Sequence, residues 1–154
     1  MSTVTTARTT GTLPAEHRGR LMSIARQVSL PEGIRLFDEG GRADHFWILQ
    51  SGAVTVDMRV PGRRPVVIET LGSGDLVGCS WLFPPYVWRL GAQAVSPLRA
   101  YEFDAQTVRR MFRDDPDMGG AVALWVGRVL AHRLHAARTR LPDLYAPYDS
   151  AIPV

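Results

Sequence analysis

Apolar residues along this chain change their spacing more than once, and each change predicts a different element. Leu21, Ile24, Ala25 and Val28 recur at three- and four-residue intervals, one face of a short helix, and Pro31-Glu32-Gly33 halts the run. From Ile34 the period becomes two. In "HFWILQSGAVTVDM", Phe46 and Ile48 alternate against Trp47 and Leu49, Ser51-Gly52 make a turn, and Val54, Val56 and Met58 resume on one face. "VPGRRP" marks the next turn, "VVIETL" the next strand and "GSGD" the turn after it. "AQAVSPLRAYEF" adds two short strands broken at Ser96-Pro97. Short strands between glycine turns predict an antiparallel β-roll or jelly roll over residues 34–103, because parallel strands would need crossover helices between them.

The period then lengthens again. Asp104 caps a turn whose Val108, Met111 and Phe112 face inward, and Asp115-Pro116 pairs a capping side chain with proline at the first helical position. Val122, Val126, Val129, Leu130, Leu134, Ala137 and Leu141 follow as one apolar stripe, and Pro142 is expected to end it. At about 1.5 Å per residue, residues 116–141 would span roughly 39 Å. So small a roll does not need that length to cover itself, so the expectation is a homodimer through this long C-terminal helix. The class is therefore mainly β with flanking helices: a helix before the roll and a long one after it. Residues 1–12, rich in Thr and without periodicity, read as a disordered tail; 13–141 form one domain and 142–154 a C-terminal tail.

Composition narrows the function. A chain of 154 residues that is 45% apolar builds one core. No apolar run approaches membrane-spanning length and the amino terminus has no hydrophobic centre, so a cytoplasmic location is expected, with neither span nor secretory signal. The single cysteine can form no intrachain disulfide. All 18 basic residues are arginine, scattered over separate segments, and the net charge is only +3, so no clustered DNA-binding face is expected. His132 and His135 lie three apart on the long helix without a further ligand nearby, so no metal site is expected. No nucleophile with an adjacent base, paired-carboxylate motif or phosphate loop is present, and the chain reads as a non-enzyme.

One stretch stands apart. "GCSWLFPPYVWR", Gly78 to Arg89, holds the only cysteine, two tryptophans and a Pro-Pro pair. Pro84 and Pro85 lack backbone donors, so the segment reads as a rigid loop rather than a helix.

The order of elements and two motifs resemble the cyclic nucleotide-binding domain superfamily, whose bacterial members include the catabolite activator protein. "LPEGIRLFDEGGRADHFWILQSGAVTV" is similar to that family's first glycine-bearing strands, with their F-x-E-G, A-D-x-F and S-G-x-V steps. "LGSGDLVGCSWLFPPYVWRLGAQAV" is similar to its phosphate-binding cassette, from a Gly-acidic turn to an arginine followed by small residues. The resemblance implies a site at Gly78, Cys79, Ser80, Arg89, Leu90 and Gly91, with Ala137 of the long helix near the base. It places Gly78 where the backbone approaches the sugar and Arg89 at the cyclic phosphate. Cys79 then stands where the family has a ribose-binding glutamate, Leu90 where it has a hydroxyl residue, and Trp81 where it has a small one.

Three readings follow. In the first, a cyclic nucleotide or similar ligand binds between the roll and the long helix and shifts that helix, so the chain is a sensor signalling through a partner protein. In the second, Trp81, Phe83, Tyr86 and Trp88 fill the site and present a constitutive partner surface. In the third, Cys79 is a redox switch whose pKa is lowered by Arg89. Arg89, without a nucleotide, is expected to pair with Asp75. After the long helix only "PDLYAPYDSAIPV" remains, and its three prolines preclude a helix-turn-helix, so a stand-alone module without direct DNA binding is expected.

Overall fold

The two-residue alternation resolves into eight strands arranged as two four-stranded sheets. A computed structural model describes residues 13–151, with side chains from 13 to 138. Helix α1 (Ala15–Met22) precedes β1 (Arg26–Leu30), β2 (Arg35–Phe37), β3 (His45–Ser51), β4 (Val54–Met58), β5 (Val66–Leu71) and β6 (Leu76–Val77). A 3-10 turn at Ser80–Leu82 follows, then β7 (Gly91–Ala94), β8 (Leu98–Asp104), α2 (Ala105–Asp114) and α3 (Pro116–Ala151). One sheet runs β1-β8-β3-β6 and the other β2-β7-β4-β5. Every pairing is antiparallel, as the short loops require. The turns fall where glycine placed them: Asp75 closes the "GSGD" turn by accepting the Gly72 N–H at 2.9 Å. The roll is the antiparallel one expected, flanked by an N-terminal and a long C-terminal helix.

Both faces of the first sheet are covered, which is why β3 buries four successive residues, Phe46 to Leu49, instead of alternating. Trp47 stacks at 5.9 Å on Phe37 of the opposite sheet, inside the roll. Phe46 stacks at 4.7 Å on Phe103, and Ile48 lies near Trp125 of α3. In β4, Val54 is buried, but Met58 at the strand end is exposed, so the three apolar residues do not share one burial. Asp57, between them, is buried on the other side by a pair of bonds from Arg35, at 2.5 and 3.1 Å.

Three boundaries differ from the sequence expectation. Helix α1 ends at Met22, where Ser23 Oγ donates to the Arg20 carbonyl at 2.6 Å and caps the last turn. Val28 belongs instead to β1, opposite Ala100 of β8, so the roll begins at Arg26 rather than 34. Pairing with β8 along five residues overrides a weak helical spacing. At the other end α3 continues through Pro142 to Ala151, so residues 142–151 are helix rather than tail. A proline inside a helix removes one backbone bond and bends it, yet does not oblige it to stop. The expectation for residues 1–12 lies outside the described residues.

Candidate functional site

The loop between β6 and β7 walls one side of a cavity of about 560 Å³, with β4 and β5 beneath it and α3 across it. Gly78, Cys79, Ser80, Arg89, Leu90 and Ala137, all expected at the site, line it together. Gly91 does not. It lies on β7 against the Arg35–Asp57 pair, where an added Cβ would sit 2.2 Å from Arg35 Nη2 and 2.5 Å from Asp57 Oδ1. Its smallness serves packing outside the cavity.

The aromatic residues do not fill the cavity. Trp81 is fully buried behind the loop, stacked on Phe46 at 3.9 Å, with its Nε1 donating to the Gly78 carbonyl at 2.9 Å. Trp88 is buried and stacked on Phe37 at 3.7 Å. The expected aromatic partner surface is thereby reduced to Phe83, half exposed, beside a partly buried Tyr86. Large rings gain most by replacing water with other rings, and the gap beneath the loop accepts two of them. Gly78 makes this possible: it has φ +99° and a Cβ there would meet the Trp88 ring at 2.7 Å. From outside, Arg109 of α2 donates to the Trp81 carbonyl at 2.7 Å and lies 4.1 Å over the Tyr86 ring. Tyr86 itself takes φ +60°, which a bulky residue keeps only where its neighbours hold it.

Charge at the cavity comes from Arg89, Arg133 and Glu69. Arg89 is exposed and lines the opening, making no hydrogen bond or ion pair with another described residue. The expected Arg89–Asp75 pair does not form. Arg133 reaches in from α3, paired with Glu69 of β5 at 3.2 Å and donating to the Leu76 carbonyl. Its Nη1 stands 3.9 Å from the Cys79 sulfur. Glu69 and Arg133 are the charged site residues that the sequence reading missed, with Val56, Ile68, Leu71 and Leu134 among the apolar ones. Arg133 could have been found, since it lies one helical turn before Ala137 on the same face; nothing local marks Glu69 in "VVIETL".

Residues 27–115 match the cyclic nucleotide-binding domain family, more than half of the chain. The chain belongs to that family. Across 117 residues this cyclic nucleotide-binding domain is 30% identical to the CRP-like cAMP-activated global transcriptional regulator of Mycobacterium tuberculosis. That match takes in 76% of this chain and 50% of the relative, so the chain spans about half the length of the curated relatives it matches. The fold is also that of a cyclic nucleotide-binding domain from Methylobacillus flagellatus, with TM-score 0.73, 19% identity, and 82% and 71% of the two chains covered. The catabolite activator protein of Thermus thermophilus superposes with TM-score 0.68 at 23% identity, over 86% of this chain and 60% of the other.

Cys79, the single cysteine of the sequence, lies in the wall of this cavity. Burial in the cavity wall pushes its thiol up, Arg133 pulls it part of the way down, and Glu69 adds to the rise. A thiol held above its ordinary value is a poor nucleophile and a weak acceptor near neutral pH, which weighs against the redox reading. Glu69 contributes a carboxylate to the same wall.

Proposed function

We propose that the domain is a non-catalytic sensor that takes a cyclic nucleotide, or an anionic ligand of that size, in the cassette cavity. The observation that carries this reading is an open cavity of about 560 Å³, within the usual range for small-molecule sites, bordered by Arg89, which pairs with no other described residue. The phosphate is assigned to Arg89 and the backbone around Ser80, and the ring system to the apolar floor of Val56, Ile68 and Leu71. Glu69, in place of the cassette carboxylate, accepts from the sugar hydroxyl while remaining paired with Arg133. The name of the mycobacterial relative and a Toxoplasma gondii kinase regulatory domain solved with cAMP, at TM-score 0.61 and 17% identity over 70% of this chain and 41% of the other, support the ligand class.

The output follows from the lining. Arg133, Leu134 and Ala137 all belong to α3, so a ligand that prefers one position of this helix shifts its population, and the helix passes that change to a second copy or a partner protein. Phe83 and Trp88 line the cavity without closing it, which favours a ligand over the constitutive-module reading.

Thermal unfolding with millimolar cyclic AMP, cyclic GMP and linear nucleotides tests the reading. A ligand at 100 times its dissociation constant adds about 2.7 kcal/mol and moves the midpoint by several degrees. The expected result is a shift with a cyclic nucleotide that Arg89→Ala removes. No shift with any nucleotide would sink it.

A further inference from the structure

Where β4 turns into β5, Pro61 to Val67 are exposed without interruption, and Met58 and Arg59 are exposed just before them. Three of these are large apolar side chains: Met58 at 42%, Val66 at 45% and Val67 at 57% exposure. Met58 lies opposite Val66 and Asp57 opposite Val67, so the two valines point to opposite faces of β5. Three more are arginines, Arg59, Arg63 and Arg64, whose side chains make no hydrogen bond or ion pair with another described residue. The carboxylates of the hairpin and its contacts are engaged elsewhere: Asp57 with Arg35, Glu69 with Arg133, and Glu39 with the Arg59 backbone N–H. The tip is cationic and has an apolar strand beside it.

The backbone adds to this. β5 is the outer strand of the sheet β2-β7-β4-β5, so among the described residues no strand pairs with its far side. Natural sheets blunt such an edge with charges along it or a proline within it. Here the proline, Pro65, stands before the strand, and Val66 and Val67 that follow are uncharged. A second copy of this hairpin would bring the same three arginines and no spare carboxylate. A nucleic acid would neutralise the arginines but leave Met58, Val66 and Val67 in water. An extended acidic segment satisfies the charge, the apolar side chains and the open backbone together.

We infer that β5 is a docking edge for a partner protein, whose extended segment adds to it as an antiparallel strand and sets carboxylates against Arg59, Arg63 and Arg64. The edge needs no nucleotide in the cassette. Fluorescence anisotropy with a labelled peptide, VTVTVDEE, tests it, against VTVTVNQQ, VTPTPDEE and a single-stranded DNA octamer. The acidic end is C-terminal because an antiparallel partner ends beside the start of β5. VTVTVDEE is expected to saturate one site and to protect β5 from hydrogen exchange. Removing its charge or its backbone donors, as the two control peptides do, should weaken it at least fivefold. Arg63→Gln with Arg64→Gln, both on exposed side chains, should weaken it about fivefold. Arg89→Ala should leave it unchanged, which separates this edge from the cassette reading. Absence of saturable peptide binding, equal binding of VTPTPDEE, or tighter binding of the DNA overturns the inference. So does protection of β5 that rises with protein concentration in the absence of peptide, the sign of a second copy on the edge.

Discussion

At the scale of single residues, Gly78 and Cys79 show what spacing along the chain does and does not disclose. Gly78, Arg89 and Ala137 were placed at the site by the resemblance of the motifs, and all three line the cavity. The direction of Trp81 and Trp88 could not be read in this way, since it depends on stacking against Phe46 and Phe37, which the loop meets only after the sheets close. Gly78→Ala sets a Cβ 2.7 Å from the Trp88 ring at a φ of +99°, so both strain and overpacking oppose it. It is expected to cost about 1–3 kcal/mol in urea unfolding, with the deficit partly recovered when Trp88→Leu is added. If Gly78→Ala unfolds at the wild-type midpoint, the ring does not depend on the missing Cβ. Cys79 gives a second readout at this scale. Its raised pKa predicts that iodoacetamide reacts more slowly at pH 7 than with a free cysteine, and that the rate climbs only at higher pH. Rapid alkylation at neutral pH would return the redox reading to contention.

At the scale of elements, the legible parts were those with an unambiguous stop or cap. Asp115 caps α3 as its sequence suggests, with Met118 N–H donating to Oδ1 at 3.2 Å, and the Ser96-Pro97 break divides β7 from β8. Between Leu21 and Leu30 no internal mark divides helix from strand, and pairing to β8, 68 to 76 residues away, decided it. Helix α2 begins at an element boundary that also titrates. The Thr107 hydroxyl donates to Asp104 Oδ2 at 2.6 Å and, opposed by desolvation and aided by the Gln106 N–H, holds this carboxyl below its ordinary value. A depressed folded-state pKa stabilises the fold above the unfolded value, about 3.9, and the contribution is lost as pH falls through the lowered one. Asp104 is exposed, so the effect is screened and small. Asp104→Asn should therefore lower the melting midpoint slightly at pH 6 and progressively less below pH 4. A deficit that stays constant between pH 6 and pH 3 would mean that the charge of Asp104 is not what α2 uses.

At the scale of the molecule, α3 has two apolar faces and the domain uses one. Val122, Trp125, Val126 and Val129 are buried in it. On the outer side Gly120, Leu124, Gly127, Ala131 and Leu134 are exposed at spacings of four, three, four and three, with Leu124 at 57% and Leu134 at 65% exposure. That is the repeat by which two helices pair, and its two glycines and one alanine let the backbones approach closely. The homodimer expected from the sequence would seat a second copy of α3 on this seam, and Leu134 borders both the seam and the cassette cavity. A helix that contacts Leu134 there would couple to the cavity, and by linkage a ligand that tightens the pair would itself be tightened by pairing by the same factor. Sedimentation equilibrium should give a dimer for wild type and a monomer for Leu124→Glu with Leu134→Glu, at unchanged far-ultraviolet circular dichroism. Where a nucleotide binds, its affinity should rise with wild-type concentration and stay flat for the double variant, although Leu134→Glu also touches the cavity. Leu124→Glu, outside the cavity, therefore carries the decisive comparison: a monomer with the wild-type concentration dependence would break the link between seam and site.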